Sequence, residues 1–259
     1  MNCFIRLFAA LIISFLICAI SLDRSFSSES HAFGQKNLSL ILKGERELLV
    51  FDIYWMGIYV GKASFEAINN KGNIVITTRA NSAPVISTFY KVEDYARSEL
   101  TNGKPNNFKI KQHEGRYRSN KEIIFDNKNN RIIYFNHLKG EKIEHNSVYA
   151  TLWDVVSGFY HVRTMPFEVG KAIYVNIFDS NKFYNAEVKV IGREKITVYE
   201  NREVNTIIIK PLLQSAGLFR KKGDVYIWLT DDDKRVPVKM ETTISIGKIT
   251  ALLKSVETD

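Results

Sequence analysis

Apolar and polar residues alternate along this chain with a period of two, in one short run after another, the pattern of strands that bury one face. In ELLVFDIYW, the residues Leu49, Phe51, Ile53 and Trp55 share a face. Met56 and Gly57 turn the chain into IYVGKASFEA, where Tyr59, Gly61, Ala63, Phe65 and Ala67 share another. A bend at NNKGN (69–73) leads to IVITTRA. The pattern continues through STFYKVEDYARSEL, NFKIKQHEG, YRSNKEIIFD and RIIYFNH, with DNKNN turning between the last two. The second half supplies KAIYVNIFD, FYNAEVKVIG, EKITVYE, NTIIIKPLL, DVYIWLT, VPVKMETTIS and KITALLKSV. About fourteen strands joined by hairpin-length loops predict an all-β chain with a largely antiparallel sheet. A sheet that large curls into an open barrel or β-spiral.

One segment breaks the alternation. NSVYATLWDVVSGFYHVR sets Val148, Leu152, Val155, Phe159 and Val162 at helical spacing. That spacing predicts a single amphipathic helix over about 147–163, capped by Asn146 or Ser147 and stopped before Pro166. Its apolar stripe has to be buried against the sheet, so the helix is expected inside the curl, joining halves at 40–145 and 170–255. Asp154, Gly158 and His161 then form the polar stripe opposite.

The N-terminus reads as an export signal. The apolar run LFAALIISFLICAISL follows Arg6, and small residues suit cleavage after Ser21 or after Ala32. Residues 33–259 are then one exported domain, expected in a bacterial periplasm. An acylated Cys18 and an uncleaved membrane anchor are the alternatives. Both cysteines, Cys3 and Cys18, fall in the leader, so the remainder has no thiol for a disulfide, a metal or catalysis. The formal charge of +8 survives removal of the leader, which loses two basic and two acidic residues. That surplus favours anionic partners, a membrane surface among them, and an exported protein has little call on nucleic acid.

Candidate chemistry is sparse. Asp231, Asp232 and Asp233 lack the glycine and the terminal glutamate of a calcium loop and are followed by Lys234 and Arg235, so they read as an acidic hairpin bend. Asp154, Ser157 and His161 resemble a triad in composition only. On a helix Asp154 and His161 stand roughly 10 Å apart along the axis, beyond hydrogen-bond reach. No histidines or cysteines lie at zinc-ligand spacing, and there is no phosphate loop or dinucleotide fingerprint. Neither a metal nor a cofactor is expected. Paired carboxylates of the glycosidase kind are not visible in sequence.

Aromatic residues are in surplus: Tyr54, Trp55 and Tyr59, then Phe89 and Tyr90, Phe183 and Tyr184, and Phe219. In PLLQSAGLFRKKGD an apolar ridge with Leu218 and Phe219 runs into Arg220, Lys221 and Lys222, a pairing suited to an amphipathic anionic partner. Trp55 and Tyr59 with this ridge are the candidate binding residues.

Several stretches together resemble the exported bacterial family known as domain of unknown function 3108, over about residues 40–255. The opening motif matches at Gly44, Glu45, Trp55, Gly57, Ile58, Gly61 and Ala63. A helix motif matches at Asp154, Ser157, Tyr160 and Arg163, and a hairpin motif at Trp228, Thr230, Asp232, Arg235 and Pro237. The resemblance implies a partly open periplasmic β-barrel or spiral without an established activity. It also implies structural roles for the helix and hairpin residues, with Asp154 and Arg163 anchoring the helix ends. The expectation is a non-enzymatic protein of the cell envelope that binds a lipidic or acylated ligand in a curved cavity. The alternatives are a scaffold that recruits a periplasmic protein through a strand edge and a carboxylate-based hydrolase.

Overall fold

The computed structural model describes Leu38 and residues 46–147, 149–198, 201–212, 224–244 and 246–259. The proposed leader lies outside these residues, as do Leu218, Phe219, Arg220, Lys221 and Lys222.

The first half is a run of eight strands: β1 (Arg46–Trp55), β2 (Ile58–Asn70), β3 (Asn73–Ser82), β4 (Glu93–Thr101), β5 (Lys104–Glu114), β6 (Tyr117–Asp126), β7 (Arg131–Asn136) and β8 (Glu141–Asn146). A short helix, α1 (Pro84–Ser87), interrupts it between β3 and β4. After α2 (Val155–Thr164) come β9 (Ala172–Asp179), β10 (Lys182–Thr197), β11 (Glu203–Pro211), β12 (Val225–Thr230), β13 (Pro237–Thr243) and β14 (Lys248–Thr258). All fourteen form one antiparallel sheet in the order β8-β7-β6-β5-β4-β3-β2-β1-β14-β13-β12-β11-β10-β9. The chain starts at the centre of the sheet, meanders to one edge, crosses through α2 to the other edge and returns to pair β14 with β1.

The two edges do not pair, so the barrel is open. The sheet winds past itself instead. The end of β9 is buried on both faces: Ile177 lies against Gly158 of α2, while the Phe178 ring sits 5.5 Å from His145 of β8 and 4.9 Å from Phe183. At the following turn Lys121 of β6 donates to Ser180 at 3.1 Å, and His145 Nε2 lies 2.6 Å from Asn181 Oδ1. The β9–β10 hairpin therefore tucks inside the wall made by β6–β8. Buried apolar residues from every strand except the edge strand β8, and from α2, form one continuous core, joined by Leu38 from upstream of β1.

Three local expectations change. The helix starts at Val155 rather than near Ser147, because Trp153 is extended: it exchanges hydrogen bonds with Asn176 and Phe178 and occupies the free edge of β9. Every residue of α2 is buried, so Asp154, Gly158 and His161 do not form a polar stripe; a helix enclosed by a sheet has no solvent face. In the stretch STFYK the chain is α1 and loop rather than strand, with Pro84 opening the helix.

Tyr59 also changes face. The register slips between Ile53 pairing with Gly61 and Tyr54 pairing with Tyr59, a bulge that inserts Val60. One extra residue reverses the parity of the strand. Val60 turns inward and Tyr59 outward, where its ring meets Tyr54 edge-on at 5.9 Å.

Gly61 sits inside this bulge, and a Cβ there would fall 2.3 Å from the backbone oxygen of Asn81 on β3. Backbone cannot rotate away as a side chain can. Gly61→Ala is therefore expected to lower stability by about 2 kcal/mol in urea unfolding, the usual scale of overpacking.

Candidate functional site

Hairpins make the two ends of this sheet chemically different. Odd-numbered strands hand over to the next strand at one end, here the upper rim, and even-numbered strands at the other. The lower turns carry Lys71-Gly72, Asn102-Gly103, Asn127–Asn130 and Asp231–Lys234, residues that bend the chain toward water. The described upper turns carry Met56, Val85, Phe89, Leu138 and Ile246, all exposed, with Ile58 beside them at the start of β2. Phe89 is 86% exposed and Met56 63%. Met56 also holds φ at +50°, a left-handed conformation that costs a side chain with a Cβ about 1–2 kcal/mol and is normally left to Gly or Asn. Among the described residues no lower hairpin turn carries an exposed large hydrophobic.

The turns with Met56, Ile246 and Val85 to Phe89 are neighbours. Met56 N donates to Lys248 O beside the β13–β14 turn, and Trp55 Nε1 donates to Ile246 O at 2.9 Å. Ala83 N, at the start of the loop with Val85 and Phe89, donates to Val60 O. Arg116, Arg118 and Lys139 stand exposed at further upper turns. Of the sequence candidates, Trp55 and Tyr59 belong to this rim. Leu212 and Asp224, which flank the undescribed basic ridge, lie at the same end of β11 and β12.

The motif residues are engaged in the fold. Asp154 caps α2: its Oδ1 accepts from Val156 N and Ser157 N, and its Oδ2 accepts from the hydroxyls of Ser157 and of Ser98 on β4, both at 2.6 Å. Burial pushes this carboxyl up from its ordinary range against the pull of those donors. Arg163, at the other end of the helix, makes a two-pronged pair with Glu47 of β1 at 2.8 Å on each prong and donates to the carbonyls of Lys234 and Arg235. Tyr160 stacks its ring against that guanidinium at 4.8 Å, and burial, with the Glu47 charge, pushes its hydroxyl well up. The Ser157 hydroxyl is committed to Asp154, and the His161 ring stacks on Trp153 at 4.3 Å.

The acidic bend is a hairpin. Asp232 Oδ1 accepts from Thr230 Oγ1, Lys234 N and Arg235 N, closing the turn between β12 and β13. Trp228 is clamped between Glu194, which accepts from its Nε1, and Lys239, 4.1 Å over its ring, while Pro237 opens β13 opposite Leu229. No group of three His, Cys, Asp or Glu side chains suited to a metal exists among the described residues.

Sequence reading missed two features. The apolar upper turns were legible in MG, APVISTFY, HLKG and ISIG, but only once alternating turns are sorted by end. The inward carboxyls Asp94 and Glu114 were legible as acids at core parity in β4 and β5. The hydrogen bond from Gln112 Nε2 to Glu114 and the one from His113 N to Asp94 needed coordinates.

Two measurements check the helix anchors. Removing one partner of a buried ion pair strands the other charge, so Glu47→Ala is expected to cost about 3–5 kcal/mol in denaturant unfolding. The double change Glu47→Leu with Arg163→Met removes both charges and should cost clearly less. The second concerns pH. Burial holds the His161 ring at about 4 against 6.5. A ring neutral in the fold but protonated when unfolded withdraws stability as pH falls from about 6.5 to about 4, by about 3 kcal/mol in all. Asp154 and Asp179, both raised by burial, act with the opposite sign. The difference between wild type and His161→Phe isolates the histidine: the variant should lose less stability across that interval in melts recorded from pH 7 to pH 4.

A family model described as protein of unknown function (DUF3108) matches residues 50–254. Among solved structures the chain is similar to the β-barrel-like protein of domain of unknown function DUF1849 from Brucella abortus, with 8% identity, 83% of this chain and 98% of that chain covered, and a TM-score of 0.54. That likeness is one of fold. A protein of Parabacteroides distasonis ATCC 8503 described as a lipoprotein aligns at 12% identity over 84% of this chain and 98% of its own, with a TM-score of 0.36. A protein of Bacteroides fragilis NCTC 9343, described as exported and of YmcC-like fold, aligns at 7% identity over 82% and 95%, with a TM-score of 0.35. No curated protein matches. No helix among the described residues is long and apolar enough to cross a membrane.

Proposed function

The chain belongs to the DUF3108 family, and from that premise we propose that it is a non-catalytic, exported protein of the cell envelope that binds lipid through its upper rim. The observation that carries this reading is the contrast between the rims: exposed Met, Ile, Val, Phe and Leu at one set of turns, Gly, Asn, Asp and Lys at the other. Separate apolar tips on neighbouring turns suit insertion into a fluid interface better than a flat protein contact. The basic side chains among them and the net charge of +8 add attraction to anionic headgroups. The leader with its apolar run supports a periplasmic setting. The absence of catalysis is supported by the engagement of Asp154, Ser157 and Arg163 in holding α2.

Liposome co-sedimentation tests the reading. Wild-type protein freed of its leader should pellet with vesicles containing phosphatidylglycerol and less with phosphatidylcholine alone. Changing Met56 and Phe89 to Asp together should weaken that binding at least tenfold without lowering the melting temperature. Protein that stays in the supernatant with both vesicle types sinks the proposal.

A second reading rests on the free edge of β8. Ser147 N donates to Asn130 O, and the alternation from there turns the backbone groups of Lys142, Glu144 and Asn146 away from β7. A partner strand could add there. The Lys142–Glu144 pair guards this edge as charges usually do, which ranks the reading second. A photocrosslinker at Lys142 that captures a single envelope protein in cells would promote it.

A further inference from the structure

Beneath the upper rim the inner wall carries polar groups that the packing does not use. On β2, β3 and β4 the wall is shallow: Ala63 pairs with Ala80, and Ala80 with Asp94, while Thr78 pairs with Ala96. Gln112 on β5 pairs with Ser119 on β6, and Glu114 lies two residues on, at the end of β5. All of these side chains are buried, with Thr78 1%, Asp94 2% and Ser119 7% exposed. Thr78 Oγ1, Asp94 Oδ2 and Ser119 Oγ nevertheless have no hydrogen-bond partner in the protein. Three such atoms on one stretch of wall are unusual in a folded domain.

The loop between β3 and β4 closes over this stretch. Gly115 N donates to Lys91 O, and the Tyr90 ring lies where a Cβ on Gly115 would be, 2.2 Å from that position, next to Glu114. Val85 and Phe89 on the same loop face outward at the rim. These polar groups thus line a recess under a loop whose outer side is apolar.

We propose that this recess receives the primary ammonium group of an amphiphile whose apolar part lies along the upper rim. The inference rests on the lipid-binding reading for the tail and on the recess for the head. The chemistry of the wall selects the head. The Asp94 and Glu114 carboxyls with the Ser119 hydroxyl are chiefly acceptors, and an ammonium brings three donors and the compensating charge. A carboxylate headgroup would meet Asp94 and Glu114 with like charge. A divalent ion takes more oxygen ligands than two carboxyls and one hydroxyl offer.

Unliganded, burial raises the Asp94 carboxyl and favours its carrying a proton. The ammonium replaces that proton, which leaves to solvent, so binding tightens as pH rises until the amine itself deprotonates. The other charged groups do not face the recess. Lys121, further along the inner face of β6, bonds Ser180; Lys62 and Arg79 alternate to the outer face, and Lys91, Glu93 and His113 lie on the outer side.

Calorimetry with octylammonium, octanol and octanoate at pH 7.5 tests this, run in two buffers of different ionisation enthalpy. The expected result is octylammonium at least tenfold tighter than octanol, with release of about one proton per site. Asp94→Asn and Glu114→Gln should each abolish that preference while keeping octanol affinity, melting temperature and vesicle binding. Equal affinity for the three probes, no binding of any, or a preference that survives both changes overturns the recess, and vesicle binding by wild type would still leave the rim reading intact. Loss of vesicle binding with octylammonium selectivity retained overturns the rim reading alone.

Discussion

A guanidinium with no access to water holds three distant parts of this chain together. Arg163, at the end of the helix, meets Glu47 on the first strand and the carbonyls of the turn between β12 and β13. Neither charge could be buried alone, and a planar fork satisfied by a carboxylate and two carbonyls leaves few donors unused. The pair contributes less by its net strength than by the geometry it demands. The helix can end in only one place, and from that place Gly158 meets Ile177 and Asp154 reaches Ser98. An open sheet would otherwise have a wet gap between its edges. Here that gap is where the helix and the tucked β9–β10 hairpin lie.

Much of the architecture is legible in the residues because a period of two is a local signal. Leu49, Phe51 and Ile53 face inward as their spacing requires, the described residues form fourteen strands, and Asp232 bends a hairpin. What escapes is decided by partners far away in sequence. The bulge that turns Tyr59 outward depends on how β2 is paired to β1, and nothing in IYVG marks Val60 as the extra residue. The start of the helix depends on Trp153 finding an edge at β9, some twenty residues later. His161 looks like a surface residue because histidines on amphipathic helices usually are; only enclosure by a curled sheet puts it under Trp153.

The candidate site follows the same division. Trp55 was legible as an aromatic at the end of a strand, and it lies at the rim. The tips around it are single hydrophobic residues scattered along the sequence, and single exposed hydrophobics carry no message. They become a surface because antiparallel hairpins gather alternate turns at one end. Asp94 and Glu114 lie twenty residues apart on neighbouring strands, and the ladder between β4 and β5 is what brings them onto one wall.

Joining β1 to β14 at the middle of the sheet also governs how the molecule can be made. The first strand made lacks one of its two neighbours until β14 has been made, so half of the central seam waits for nearly all of the chain. Closure of so long a loop makes assembly slow and leaves apolar edges open meanwhile. Such a chain needs protection from self-association while it is being completed more than it needs stability once folded.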